Sequence, residues 1–282
     1  MDQHPLRFST VPVNGIQLHV AEAGPPDGPL VILLHGFPEF WYGWRRQIPA
    51  LAAAGFHVVA PDQRGYNLSS KPAWVVGYRT EALVSDVLAL ADHFGRQTFR
   101  LAGHDWGAFV AWSTALTAPR RVEKLAILNV PHPTVAYRAL RTSPEQMLRS
   151  TYAAFFQLPR LPEAFLRRGG AAWMLRASSR PGTFTRADLT CYREAWSRPG
   201  ALTAMLNWYR AALRYPFRPP MERVQPPTLI LWGRHDTALR WQSALESLKL
   251  CEQGELIYYP ASHWVQHEMA EQVSRELLGF FA

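Results

Sequence analysis

A chain of 282 residues is long enough for one sizeable core carrying an insertion, and short for two large independent domains. Hydrophobic residues make up 48% and charged residues 18%, the ordinary mixture of a globular protein. The net charge of +8 comes from scattered arginines, and no Lys/Arg block of five forms, so neither nucleic acid nor a membrane surface is expected as a partner.

The first fifteen residues contain no apolar core of a secretory signal, and the longest clean apolar run, residues 30–34, is far too short to cross a bilayer. A cytoplasmic protein is expected. Ile16, Leu18 and Val20 alternate as in a strand. The run 30–34, apolar at every position and ending at His35-Gly36, suits a central strand covered on both faces. Residues 41–54 read as a helix ended by Gly55, and residues 58–60 as the next strand, closed by Pro61.

The clearest helix is 80–94. Leu83, Val87, Leu90, Ala91 and Phe94 share one face, Thr80 is placed to cap its start, and Gly95 to take the left-handed stop. Strands at 99–102 and 125–128 flank a helix at 108–118. This alternation predicts an α/β fold, a mostly parallel central sheet with helices on both faces.

The pattern changes after Pro131-His132-Pro133. Residues 132–215 show helical segments, dense aromatics and no convincing strand. Strand–helix alternation resumes at 228–232 and 256–259. The expected organisation is a first core part over 1–131, an all-helical cap over 132–215 and a second core part over 216–282. Such an insertion would cover the C-terminal edge of the sheet, where ligands of open α/β sheets bind. The two cysteines, Cys191 and Cys251, form no metal-ligand pattern and are expected as reduced thiols.

Gly103-His104-Asp105-Trp106-Gly107 lies between a strand and a helix. That is the setting of the sharp turn that exposes a nucleophile in G-x-S-x-G hydrolases, with Asp at the central position. A serine attacking a saturated carbon leaves an ether, which a His–water pair does not readily hydrolyse. An aspartate leaves an ester, which such a pair can hydrolyse. The pattern points to epoxides or carbon–halogen bonds rather than to carboxylic esters.

Partners follow in the chain order nucleophile, acid, histidine. Asp236 and His263 each lie just beyond the end of a later strand, with His263 as general base for water and Asp236 as its orienter. His235 and His267 do not match the expected offset, and His35 and His104 read as structural groups beside the elbow. Backbone N–H groups of Trp106 and Phe37 would form the oxyanion hole, and Pro38 is a candidate for a cis peptide bond.

Across nearly its whole length the chain resembles the epoxide hydrolases of the α/β-hydrolase superfamily, with HGFPEFWYGWR, APDQRGYNLSSKP, GHDWG, GRHD and ASHW in family order. Haloalkane and fluoroacetate dehalogenases share parts of these segments. The resemblance implies two cap tyrosines that bind and protonate the epoxide oxygen, here Tyr152 in TYAAFFQ and Tyr209 in LNWYR. A halide needs no proton, whereas an alkoxide does, and phenols of pKa about 10 can supply it. The expected function is conversion of small apolar epoxides and water to vicinal diols through an ester on Asp105. The substrate would lie against Phe37, Trp106, Phe155 and Trp208. No cofactor or metal is expected, and the state is a monomer or a homodimer. The alternatives are a dehalogenase using the same nucleophile and a non-catalytic ligand-binding hydrolase fold.

Overall fold

The computed structural model describes residues 5–282. Eight strands form one sheet: β1 (Arg7–Val13), β2 (Ile16–Ala23), β3 (Leu30–Leu34), β4 (His57–Pro61), β5 (Phe99–His104), β6 (Val122–Leu128), β7 (Thr228–Gly233) and β8 (Gly254–Tyr259). Their order is β1-β2-β4-β3-β5-β6-β7-β8, with antiparallel pairing at β1/β2 and β2/β4 and parallel pairing elsewhere.

The helices before the insertion are α1 (Gln47–Ala53), α2 (Thr80–His93) and α3 (Trp106–Thr117). Between β6 and β7 come α4 (Pro133–Thr142), α5 (Pro144–Arg149), α6 (Thr151–Phe155), α7 (Leu161–Phe165), α8 (Ala171–Ala177), α9 (Arg186–Ser197) and α10 (Ala201–Arg214). The chain closes with α11 (Gln242–Leu248), α12 (Val265–Glu268) and α13 (Ala270–Phe281).

Helices cover both sheet faces, which is why the central strands read as unbroken apolar runs. Val31 and Leu33 of β3 face Trp44, Ile48 and the α13 residues Leu277 and Phe281, while Leu30, Ile32 and Leu34 belong to the core on the other face. The alternation is therefore present in space although the sequence hides it.

Two local expectations need correction. Residues 41–54 are not one helix: a 3-10 turn at Trp41–Trp44 precedes α1. Pro49 explains the break, since its ring clashes with a helical carbonyl four residues earlier and is tolerated only in a first turn. Thr80 does not cap α2 but lies inside it, and Arg79 occupies the capping position with no side-chain bond. Gly95 does take a positive φ, +68°.

At the elbow, α3 and the end of β3 approach too closely for any side chain at Gly107. A Cβ there would lie 2.1 Å from the Leu34 carbonyl oxygen, a backbone atom held in the sheet. Gly107→Ala is expected to destabilise the fold by about 1–3 kcal/mol. Chemical denaturation of the purified variant checks this, and wild-type stability would refute it. Among the described residues, no helix is long and apolar enough to cross a membrane.

Candidate active site

Asp105 sits between β5 and α3 with φ +50° and ψ −124°, a strained conformation for a side chain-bearing residue. The turn aims its carboxylate outward at the C-terminal edge of the sheet. Oδ1 accepts the Phe37 N–H at 2.7 Å. Oδ2 lies 3.3 Å from His263 Nε2. Burial favours the neutral carboxyl, but the hydrogen bond and charge of His263, with His104 and the Phe37 amide, outweigh it and lower the pKa.

Phe37 follows β3 in a loop with a cis Phe37–Pro38 bond. His35 stiffens that loop: its Nδ1 donates to the Gly36 carbonyl at 3.0 Å and its Nε2 accepts the Gln63 N–H at 3.0 Å. Trp106 opens α3, so its N–H has no intrahelical carbonyl to serve. The two amides expected at the oxyanion hole thus flank Asp105, and that of Phe37 is already bonded to it.

His263 lies in the loop after β8, 4% exposed. Its Nδ1 is 2.7 Å from Asp236 Oδ2. Asp236 follows β7, and its other oxygen accepts the N–H groups of Ala238 and Leu239 at 2.8 and 2.9 Å. Burial favours a neutral imidazole, yet the carboxylates of Asp236 and Asp105 outweigh it and raise the pKa to about 10. The two carboxylates thus favour a protonated imidazole, and the imidazole in turn favours an ionised Asp105.

Replacing Asp105 by Asn removes one of the two charges and should lower the His263 pKa by about one pH unit or more. An NMR titration of the imidazole reads this directly, and an unchanged midpoint would remove Asp105 from its environment. The sign carries over to stability. The folded pKa lies above the ordinary histidine value of about 6.5, so this contribution is full below that pH and is lost as pH rises through about 10.

Tyr152 of α6 and Tyr209 of α10 line, together with Asp105, a cavity of about 540 Å³. Their rings meet at 6.0 Å, nearly edge to face. Burial, reinforced by the Asp105 charge, raises the Tyr152 pKa; burial, with Tyr152 and Asp105, holds that of Tyr209 well above the ordinary value. Both phenols keep their protons.

The cavity volume falls in the range of pockets for small organic ligands, and its wall is mostly apolar. Trp106 lines it, as expected. Phe155 and Trp208 do not. Trp208 is turned about 100° from Tyr209 by helix geometry, and its indole N–H donates to the Arg64 carbonyl at 3.0 Å. Phe155 packs against Phe156 and Phe165. The Phe37 ring contacts Phe156 and Tyr209 rather than the cavity. The wall is built instead from residues not singled out in the sequence, among them Phe109, Tyr137, Leu140, Leu213 and Leu239.

Three supports were also missed. Asn129, at φ +55° just past β6, donates to Asp236 Oδ2 at 2.8 Å and accepts the Gly233 N–H at 3.2 Å. Its signal was an Asn directly after an apolar strand, a residue that tolerates a left-handed turn. Glu39, fully enclosed, accepts bonds from Tyr192, Gln266 and His267 at 2.5, 3.0 and 2.7 Å. Burial would raise its pKa, but His267 and His104 hold it well below the usual range. Gln266 also donates to His104 Nδ1, and His104 Nε2 donates to the His263 carbonyl, so His104 and His267 are structural. Glu268 binds Ser262 beside the base, through its N–H at 2.8 Å and its hydroxyl at 2.6 Å.

His235 is exposed. Cys191 and Cys251 are free thiols. Among the described residues, no group of three or more His, Cys, Asp or Glu side chains could hold a metal.

Comparison with known proteins agrees with this geometry. The sequence model of the alpha/beta hydrolase fold family matches residues 29–270. An AB hydrolase superfamily protein of Bacillus subtilis, YfhM, is 47% identical over 96% of both chains. Epoxide hydrolase 2 of Caenorhabditis elegans is 35% identical, over 94% of this chain and 77% of that one. The crystal structure of a Bacillus megaterium epoxide hydrolase in complex with an inhibitor superposes with a TM-score of 0.90 at 31% identity, covering 97% of this chain and 99% of that one. The chain belongs to the alpha/beta hydrolase fold family, in the group that contains the epoxide hydrolases.

Proposed function

We propose that the protein hydrolyses small apolar epoxides to vicinal diols through a covalent ester on Asp105. The observation that carries this reading is an ionised carboxylate beside a histidine, with two protonated phenols lining the same cavity. The nearby relatives named as epoxide hydrolases support it.

In the first step Oδ2 of Asp105 attacks an epoxide carbon, and the ring carbon–oxygen bond breaks. The oxygen takes a proton from Tyr152 or Tyr209. Oδ1, on the Phe37 amide, becomes the carbonyl oxygen of the ester. The ester no longer carries the Asp105 charge, so one of the two causes that raise the His263 pKa disappears, and Asp236 alone remains. The imidazolium then gives its proton, relayed by water, to the tyrosinate left by ring opening, which restores the phenol and leaves a neutral imidazole at the stage where a base is needed.

In the second step His263 takes a proton from water as the water oxygen attacks the ester carbonyl carbon. Negative charge on Oδ1 is held by the amides of Phe37 and Trp106. Collapse expels the diol oxygen, which takes the proton from the His263 imidazolium, and the Asp105 carboxyl then passes its own proton back to His263, restoring the starting carboxylate and imidazolium. We assign residues 132–215 as a lid that keeps bulk water from the ester and supplies both phenols. The Phe37 side chain offers no donor for a halide, which disfavours the dehalogenase alternative.

The test is one turnover with enzyme in excess in ¹⁸O-labelled water. Label is expected in the Asp105 carboxylate and not in the first diol released. Label in the diol with an unlabelled protein would mean direct attack by water and would end the ester proposal.

A further inference from the structure

We propose that Arg210 is a positioning residue for ring opening, the clasp that holds Tyr152 and Tyr209 as one proton-donating pair. The inference rests on the acid role of the two tyrosines proposed above. Arg210 directly follows Tyr209 on α10, and its guanidinium is buried, 7% exposed, pointing into the junction of α6 and α7.

Four bonds define the clasp. Nε donates to the Phe156 carbonyl at 3.2 Å, and Nη2 to the Leu158 carbonyl at 2.9 Å. Nη1 donates to Glu163 Oε1 at 2.9 Å and to Asn207 Oδ1 at 3.3 Å. From the other direction, the Gln157 amide donates to the Tyr209 carbonyl at 3.2 Å. The acceptors at Phe156 and Leu158 lie at the C-terminal end of α6, where carbonyls have no intrahelical partner.

The helix that carries Tyr152 is only five residues long, Thr151–Phe155, and α7 is equally short. Helices of that length have no stability of their own, so their direction is set by tertiary contacts. The Arg210 fork fastens the end of α6 to the residue next to Tyr209. Glu163, from α7, closes the clasp and matches the buried charge. A lysine could keep the charge but not the planar fork that reaches two carbonyls and a carboxylate together.

The clasp therefore acts on one step. Ring opening at its full rate needs both hydroxyls at the epoxide oxygen, whereas ester hydrolysis depends on His263 and the oxyanion hole in the core. A small tilt of α6 should slow ring opening and leave hydrolysis of the ester untouched.

The experiment measures single-turnover ester formation and ester decay by rapid quench in the full-length protein. It compares wild type, Arg210→Lys, Tyr152→Phe and the double variant on a neutral epoxide. Arg210→Lys is expected to slow ester formation by about 10- to 100-fold with decay unchanged. In the Tyr152→Phe background it should add little, because the hydroxyl it positions is already gone. Glu163→Gln keeps the shape of the clasp and should give the same pattern more weakly, which covers the case in which Arg210→Lys does not fold.

Equal slowing by Arg210→Lys in both backgrounds would overturn the inference, while the loss caused by Tyr152→Phe would keep the acid reading intact. A lower melting temperature with unchanged step rates would reduce Arg210 to a structural part and also overturn it. If Tyr152→Phe alone has no effect on ester formation, the acid reading falls and the inference with it.

Discussion

Replacing His263 with Gln is expected to stop turnover and leave the protein carrying one molecule of substrate. Glutamine is a neutral side chain that can still donate to Asp236 but cannot take a proton from water. Asp105 keeps the Phe37 amide at 2.7 Å and its place on the elbow, so the attacking oxygen remains. What is lost is the base for the second step, which contributes about 10²- to 10⁴-fold. Steady-state diol formation should fall by that factor. Intact-protein mass spectrometry after incubation with an epoxide should show the added mass of one substrate, and peptide mapping should place it on Asp105. Substitution of His263 also removes a cation 3.3 Å from Oδ2, so the ester should form more slowly than in wild type, though still faster than it decays. An adduct on another residue would remove Asp105 as the nucleophile.

The residues proposed to do the chemistry were legible because each stands at a fixed offset from a strand that the sequence itself displays. Asp105, Asp236 and His263 all follow apolar runs ending at one edge of the sheet, and their chain order matches the one that this elbow imposes. The supports were not legible because they act through space. Asn129 and Asp236 are 107 positions apart, and Glu39 meets His267 across 228. Nothing in a single sequence marks such a pair before the fold brings it together.

The cavity wall was read less well for a different reason. In the cap, side-chain direction depends on the rotation of short helices, and a five-residue helix such as α6 shows less than two turns of any period. The aromatics there announced a dense interior without telling which rings face the cavity. Trp208 and Phe155 were expected to face it and instead pack away from it. The same limit applies in the core at Pro49, whose effect depends on where the preceding helix would have begun.

Changing both Tyr152 and Tyr209 to Phe should abolish ring opening while keeping the cap in place. The rings would retain their packing: Tyr209 lies edge to face with Trp106 and Phe156, and Tyr152 with Phe156, contacts that do not require the hydroxyls. The two protons are what disappears. An epoxide oxygen leaves as an alkoxide, and burial together with the Asp105 charge keeps both phenols protonated far above neutral pH. The loss, about 10²- to 10⁴-fold for general acid catalysis, should therefore be the same across the neutral range rather than confined to one side of a titration. Each single variant should keep part of the rate, because the remaining hydroxyl still reaches the oxygen. The loss should also shrink as electron-withdrawing substituents on the epoxide make the departing oxygen less basic. Combined with His263→Gln, the double substitution should prevent the mass adduct from appearing, since it blocks the step before the one that the histidine serves. A double variant that still forms diol at the wild-type rate would mean that the oxygen gets its proton elsewhere. The polar face of the cavity would then have no part in ring opening.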